Sequence, residues 1–100
     1  MKAIYKYKIP IQDYINLSLP VNAKIIKFDS QNNDPCIWVL VTLEKELEVR
    51  KFRLAGTGHD IRENNLKYID TTIMYDGQLV WHLFEIVNGG NLNGWIWKNF

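Results

Sequence analysis

The chain has 100 residues, a formal net charge of +1, 47% hydrophobic residues and 13% aromatic residues. A chain of this length forms about one small domain, and its large aromatic rings give such a thin domain enough buried surface to fold. The small net charge argues against a general polyanion binder and against a strongly acidic protein. Cys36 is the single cysteine, which excludes an intrachain disulfide and argues against a secreted, disulfide-stabilised domain.

The first residues do not resemble a signal peptide, because Lys6 and Lys8 interrupt the apolar run. No apolar run approaches the roughly 20 residues that span a bilayer. We therefore expect a cytosolic protein that does not associate with membranes. Basic residues are concentrated in two segments: residues 1–29 hold five lysines and two aspartates, and residues 50–67 hold five basic and two acidic residues. These segments either meet in a local anion site or lie on solvated strand faces.

The apolar runs are short, rich in β-branched and aromatic residues, and separated by turn residues, which predicts strands rather than helices. In chain order the predicted strands cover residues 2–9, 14–19, 23–29, 36–43, a stretch that ends near residue 54, 67–75 and 78–87. The fourth strand is apolar on both faces, which is typical of a central strand covered on both sides. Residues 30–35 are expected to form a loop.

Some connections are less regular. Residues 44–53 contain many helix formers, but the hydrophobic spacing towards their end favours a hairpin that turns at residues 44–46. Asp60 and Glu63 have the spacing of a helix capping pair, which predicts at most a single helical turn. Asp76 and Gly77 form the strongest hairpin signal, since Asp-Gly tolerates the positive φ angles of a two-residue type I′ turn.

These elements predict an all-β or β-rich α+β fold: a single small antiparallel sandwich or barrel of about seven short strands, with at most one short helix. We assign residues 1–87 to this β domain and residues 88–100 to a Gly/Asn linker and an aromatic tail. The tail contains Trp95, Trp97 and Phe100. Because solvated indoles are unfavourable, we expect the tail to dock on its own domain or on a neighbouring copy, giving a homo-oligomer.

The sequence lacks a recognisable catalytic constellation. Neither serine, Ser18 or Ser30, lies in a nucleophile elbow, and Cys36 opens an apolar strand, where a cysteine acts as a small hydrophobe. Two histidines and one cysteine do not fill a structural zinc site on their own. We therefore expect a protein that is not an enzyme and that uses neither a metal nor a cofactor.

The most unusual segment is Gly56-Thr57-Gly58-His59. Glycines permit a tight turn and the close approach of a ligand, and successive backbone N–H groups bind anions. As a ligand site, the segment would offer the N–H groups of Thr57 and Gly58 to a phosphate and His59 as a further donor. The spacing is not that of a P-loop, so a plain turn that ends a strand is the alternative.

Other residues complete this candidate ligand site. Arg53 and Arg62 would supply positive charge, with Arg50 excluded because it falls on the opposite strand face from Arg53. His82 is included as well, although its parity along the strand also fits a half-buried, hydrogen-bonded histidine. Glu85 has the opposite parity and is expected to reach a rim or to pair with a base.

Residues 35–38, 56–59 and 77–85 read PCIW, GTGH and GQLVWHLFE. In this order and spacing they resemble a functionally uncharacterised family of short proteins from bacteriophages and prophages, over about residues 2–86. Asp60 stands where that family often has a proline, and residues 88–100 are additional to its pattern.

The resemblance implies a phage or prophage origin and a location in the host cytoplasm. Small accessory phage proteins without catalytic residues commonly act by binding. The expected function is therefore a non-enzymatic counter to host defence, most concretely by sequestering a nucleotide-derived immune signal, on analogy rather than on a site. The alternative is a protein–protein interaction module, either an inhibitor of a host defence protein or a minor virion component.

Overall fold

The structure is a computed structural model that describes residues 1–87. This part of the chain forms seven strands: β1 Lys2–Lys8, β2 Tyr14–Pro20, β3 Lys24–Gln31, β4 Asp34–Thr42, β5 Leu47–Gly56, β6 Leu66–Met74 and β7 Leu79–Ile86. All pairings between them are antiparallel. The predicted all-β antiparallel fold is confirmed, whereas the predicted docking of the 95–100 tail lies outside the described residues. No helix within residues 1–87 is long and apolar enough to cross a membrane.

The strands form two sheets that pack against each other around one main core. Sheet A has the strand order β1-β4-β3, and sheet B has the order β2-β5-β7-β6. The two sheets and their connections share the buried residues Ile9, Ile15, Leu19, Ala23, Phe28, Ile37, Val39, Val41, Phe52, Leu54 and Leu83. The alternating apolar residues of the strands thus build a sandwich, which buries one face of each sheet.

The central strand of sheet A is β4, as its apolar sequence predicts. Ile37 and Val39 alternate into the core and are fully buried. On the opposite face Trp38 and Leu40 are only half-buried. The prediction that this strand is covered on both sides is therefore wrong for these two residues, because the second sheet packs against one face alone.

The turn between β3 and β4 is tighter than predicted. Gln31 pairs with Asp34, so only Asn32 and Asn33 lie between the strands, with φ angles of 53° and 63°. Asparagine tolerates this left-handed region, and two such residues in succession make a two-residue hairpin whose twist matches the strands. The predicted loop over residues 30–35 is thus wrong, because its outer residues belong to the two strands.

The turn between β6 and β7 is longer than predicted. Met74 pairs with Leu79, which leaves a four-residue connection at residues 75–78 instead of a two-residue turn. Tyr75, Asp76 and Gly77 all have positive φ angles. The connection between β4 and β5 turns at residues 43–46, and β5 starts at Leu47. The turn at these residues is confirmed, and the helical alternative for residues 44–53 is excluded. The predicted hairpin is wrong, because β4 and β5 do not pair: the connection crosses from sheet A to sheet B.

The predicted helical turn after Asp60 is absent, and residues 57–65 cross the surface without a helix. The side chain of Glu63, expected to cap a helix, instead accepts a hydrogen bond from the hydroxyl of Tyr14. The same carboxylate lies 3.4 Å from Nε of Arg53, whose Nη2 donates to the carbonyl of Asp60. Contacts to the sheet beneath therefore replace the local contacts that a helix needs.

An ion pair closes one end of the core. Nε and Nη2 of Arg50 on β5 donate to the two carboxylate oxygens of Glu85 on β7, each over 2.7 Å. Nη1 of Arg50 donates to the carbonyl of Ala23, just before β3, and so connects sheet B to sheet A. The two side chains are 18% and 16% exposed. The expected pairing of Glu85 with a base is confirmed.

Removing one partner of this pair should destabilise the protein more than removing both. Arg50→Met leaves the carboxylate of Glu85 without its partner in a mostly buried position, and we expect a loss of about 3 kcal/mol in the free energy of unfolding. Arg50→Met with Glu85→Met removes both charges and should lose less. Urea unfolding measures all variants, with Lys51→Met as the exposed control. A double variant less stable than Arg50→Met would contradict the expectation.

Candidate functional site

The GTGH segment begins a connection that lies on the outer face of sheet B. β5 ends at Gly56, and residues 57–65 then lead to β6. Beneath this connection, a second small cluster of buried residues consists of Ala55, Leu66 and Phe84, with Ile86 packed against it. The connection is therefore held to the sheet, and its position depends on what lies under it.

Arg53 is the polar anchor beneath the connection. Its side chain is 7% exposed, and Nη1 donates to the carbonyl of Leu54 over 2.6 Å. Nη2 donates to the carbonyl of Asp60 over 2.9 Å, and the carboxylate of Asp13 lies 3.6 Å from Nη1. The guanidinium also lies over the ring of Tyr14, 5.3 Å from its centre. Sequence reasoning proposed Arg53 as a ligand contact, but the structure places it under the loop and surrounded by protein acceptors.

The GTGH turn satisfies much of its own backbone. The N–H of Gly56 donates to Nδ1 of His59 over 3.1 Å, and the N–H of His59 donates to the carbonyl of Gly56 over 3.0 Å. The N–H of Thr57, expected to bind a phosphate, donates to the carbonyl of Val80 over 3.3 Å. Within residues 1–87 the N–H of Gly58 has no hydrogen-bond partner. Of the two predicted phosphate donors, Gly58 alone is available without rearrangement.

Different constraints favour glycine at positions 56 and 58, namely Gly56 and Gly58. A Cβ on Gly56 would lie 2.9 Å from Cε1 of His59, so a larger residue would displace the imidazole. Gly58 has a φ of +90°, and a Cβ there would meet nothing within 4 Å. The first glycine therefore makes room for His59, whereas the second permits the backbone conformation.

His82 connects the GTGH turn to β6. Its Nε2 is 2.8 Å from Oγ1 of Thr57, and its Nδ1 is 2.9 Å from Oγ1 of Thr71. The hydroxyl of Thr71 is in turn 2.7 Å from the hydroxyl of Tyr68. His82 is half-buried and hydrogen-bonded, so it supports the candidate site through Thr57. Sequence reasoning missed Thr71 and Tyr68, because only the pairing of β6 with β7 brings them to His82.

A cleft of about 340 Å³ separates the GTGH turn from the β6–β7 turn. Gly56, Thr57 and His59 line one side, and residues 77–80 line the other, together with Trp81. The imidazole of His59 meets the indole of Trp81 edge to face, with ring centres 6.1 Å apart. The structure thus brings part of the predicted site into a cleft with residues that sequence reasoning had assigned only to a strand.

The positive charges do not converge on this cleft. Arg62 is exposed, and its nearest carboxylate is that of Asp60, 3.9 Å away. The lysines of residues 1–29 lie on β1 and β3 of sheet A, whereas Arg53 lies beneath the connection on sheet B. These lysines and Arg53 therefore do not form a common anion site, although the two segments meet where β2 pairs with β5. No cluster of three metal-ligating side chains occurs within residues 1–87.

A family model for a domain of unknown function, DUF7352, matches residues 1–92. The match includes every strand described above and the whole of the cleft. Neither the curated proteins nor the solved structures give a significant match.

Glu63 should make the protein sensitive to acid. The Tyr14 hydroxyl, which donates to the Glu63 carboxylate, and the nearby Arg53 hold the pKa of that carboxyl below its usual value of 4.5. A carboxyl whose pKa is lower in the folded than in the unfolded state stabilises the protein at pH values above its unfolded-state pKa. This stabilisation is lost as the pH falls through the folded-state pKa. Glu63→Gln should lose about 1.5–3 kcal/mol at neutral pH. It should also lose less stability than the original chain on acidification.

Thermal melting at neutral pH and at a series of acidic values measures both effects. Glu46→Gln, at an exposed carboxylate in the β4–β5 turn, is the matched control. Identical acid profiles for Glu63→Gln and the unmodified chain would show that this carboxylate does not hold the connection.

Proposed function

The chain belongs to the DUF7352 family, and we propose that it is a non-enzymatic binding protein whose cleft holds a small nucleotide-derived ligand. The observation that carries the proposal is the cleft itself, where two glycine turns face each other beside an imidazole and an indole. Its volume of about 340 Å³ falls at the small end of the range for ligand sites.

The lining of the cleft suits a planar polar group. Gln78 offers an amide with both donors and an acceptor, which matches the edge of a nucleobase. Leu79, Val80 and Trp81 supply apolar surface for its face. Since Nδ1 of His59 accepts the N–H of Gly56, the neutral imidazole carries its hydrogen on Nε2 and has a donor to offer.

Charge is the weaker part of the match. A phosphate would have the N–H of Gly58 and the charge of the exposed Arg62, while Arg53 acts from beneath by holding the connection in place. This balance favours a ligand with one or few phosphates over a highly charged one. In this proposal the predicted residues have two roles: Gly56, Thr57, Gly58, His59 and Arg62 bind, and Arg53 and His82 position.

The biological setting of the proposal is a bacteriophage or prophage protein in the host cytoplasm that sequesters a nucleotide immune signal. It is supported by the resemblance of the three motifs and by a cleft without a catalytic constellation among the described residues. Assembly through the aromatic tail would multiply the binding sites, and it remains part of the proposal.

A second candidate function is a protein–protein interaction module, and the β6–β7 hairpin favours it. Ile73, Tyr75 and Leu79 are 60%, 48% and 38% exposed around the turn. An apolar hairpin tip beside a cleft suits a protein partner such as a host defence protein. On this reading the cleft would receive a side chain of the partner.

Calorimetry against cyclic nucleotides and ADP-ribose derivatives tests the leading proposal. His59→Ala should weaken binding by about 0.5–1.5 kcal/mol, the typical worth of one hydrogen bond. Gly56→Ala should weaken binding at least as much, because its Cβ displaces the imidazole. Gly58→Ala strains the backbone that presents the proposed phosphate donor, so it should lower both the melting temperature and the affinity. Lys51→Ala, at an exposed position of β5 that does not line the cleft, is the control and should leave affinity unchanged.

Melting curves run in parallel separate unfolding from lost contact. A panel in which nothing binds, or equal affinities for Gly56→Ala, His59→Ala and the unmodified chain, would overturn the leading proposal. The second candidate would then predict that Ile73→Ser with Tyr75→Ser abolishes binding of a host protein that the cleft variants still bind.

A further inference from the structure

The outer face of sheet A presents an ordered set of side chains. Lys6 and Lys27 pair with Trp38 from its two sides, while Ile4 and Lys24 pair with Leu40. Paired residues of neighbouring strands point to the same side of a sheet, so these side chains share the face opposite the core. We name this the lysine face; its residues are Lys2, Ile4, Lys6, Lys8, Lys24, Lys27, Asp29, Cys36, Trp38 and Leu40.

All five lysines of residues 1–29 project from the lysine face. Two of them are ion-paired towards the β3–β4 turn: Lys8 lies 3.3 Å from Asp34, and Lys27 lies 3.5 Å from Asp29. These pairs are exposed, so they hold their partners weakly and release them readily to another anion.

The other lysines lack a carboxylate partner within residues 1–87. Lys6 donates to the neutral side chain of Gln31 over 2.5 Å, and Lys2 and Lys24 are exposed. The face therefore carries a net positive charge that the small net charge of the chain conceals, because most of the acidic residues lie elsewhere. The two lysine rows flank the central strand on both sides, about 10 Å apart.

Apolar groups fill the middle of this basic face. Trp38 is half-buried between Lys6 and Lys27, and the neighbouring row adds Leu40 and Ile4, of which Ile4 is 57% exposed. A cleft of about 430 Å³ continues the face past Lys6 and Lys8 towards Asn32. A ligand that matches the surface has to offer both negative charge and flat apolar groups, at intervals along its length.

We propose that the lysine face binds single-stranded nucleic acid. Phosphates lie against the lysines on β1 and β3, and an unpaired base stacks on the indole of Trp38. Stacking on a sheet-borne aromatic ring with flanking cations suits any base, so binding depends little on sequence. This surface is on the sheet opposite the nucleotide cleft, so the two activities are separable by mutation.

The arrangement favours a single strand over the other polyanions. A duplex encloses its base faces, which would leave Trp38, Leu40 and Ile4 without a partner. An anionic membrane prefers large apolar groups that project beyond the charges, whereas Trp38 and Leu40 are half-buried within the sheet. Single-stranded nucleic acid offers both phosphates for the lysines and exposed base faces for Trp38.

Fluorescence anisotropy with a labelled oligothymidylate tests the proposal on the full chain across a series of salt concentrations. We expect Lys6→Gln with Lys24→Gln to reduce the slope of log affinity against log salt by about 0.7 per lysine. Trp38→Leu should weaken binding by about 5- to 150-fold, and Trp38→Phe, which keeps a ring for stacking, should retain much of it. Melting curves establish that each variant is folded.

Lys45→Gln with Lys67→Gln is the matched control, since it removes the same charge from exposed positions away from this face. An unchanged slope for that control supports the proposal. Equal binding of a duplex of the same length, or affinities that the lysine-face variants do not alter, would overturn it. So would binding to phosphatidylserine vesicles without binding to the oligonucleotide. Gly56→Ala, which targets the cleft, should leave oligonucleotide binding intact.

Discussion

The buried guanidinium of Arg53 determines what the outer side of sheet B can present. It projects away from the main core and is covered by the connection over residues 57–65, which supplies the carbonyl of Asp60 as a hydrogen-bond acceptor and the carboxylate of Glu63 as an ion-pair partner. The carbonyl of Leu54 and the carboxylate of Asp13 complete its surroundings. Because a buried charge without partners is strongly unfavourable, the connection cannot lift off as a whole. This arrangement therefore sets the positions of the GTGH turn, the imidazole of His59 and one wall of the cleft.

The two outer faces of the sandwich are chemically different. On sheet B, charge is buried and neutralised under the connection, and the accessible surface is a small cleft with few charges. On sheet A, nothing comparable covers the strands within residues 1–87, and the five lysines of β1 and β3 are exposed, two of them in exposed ion pairs. A near-neutral chain can thus hold one surface with few charges and another with a net positive charge, because the core separates the two, and the two binding proposals rest on this difference.

Hydrophobic alternation and turn residues were sufficient to predict the strands, because both depend on local chemistry. Strand parity also placed Glu85 on the face opposite His82, where it pairs with a base, but it did not identify Arg50 as that base. Register could not be predicted: the positions of Trp81 beside His59 and of Thr71 beside His82 depend on how β7 lies between β5 and β6. The role of Arg53 was missed because an arginine near a glycine turn has the same sequence pattern whether it faces a ligand or lies beneath the loop.

The chain of hydroxyls through His82 has a directional consequence. A neutral imidazole donates from one nitrogen and accepts at the other, so the hydrogen bonds to Thr57 and Thr71 must run in the same sense. When Thr71 donates to Nδ1, its hydroxyl has no hydrogen left for Tyr68, so Tyr68 must donate to Thr71. A molecule in the cleft that accepts the hydroxyl hydrogen of Thr57 leaves Nε2 of a neutral His82 as the donor to Thr57, and so fixes these directions as far as β6 with no movement of the backbone.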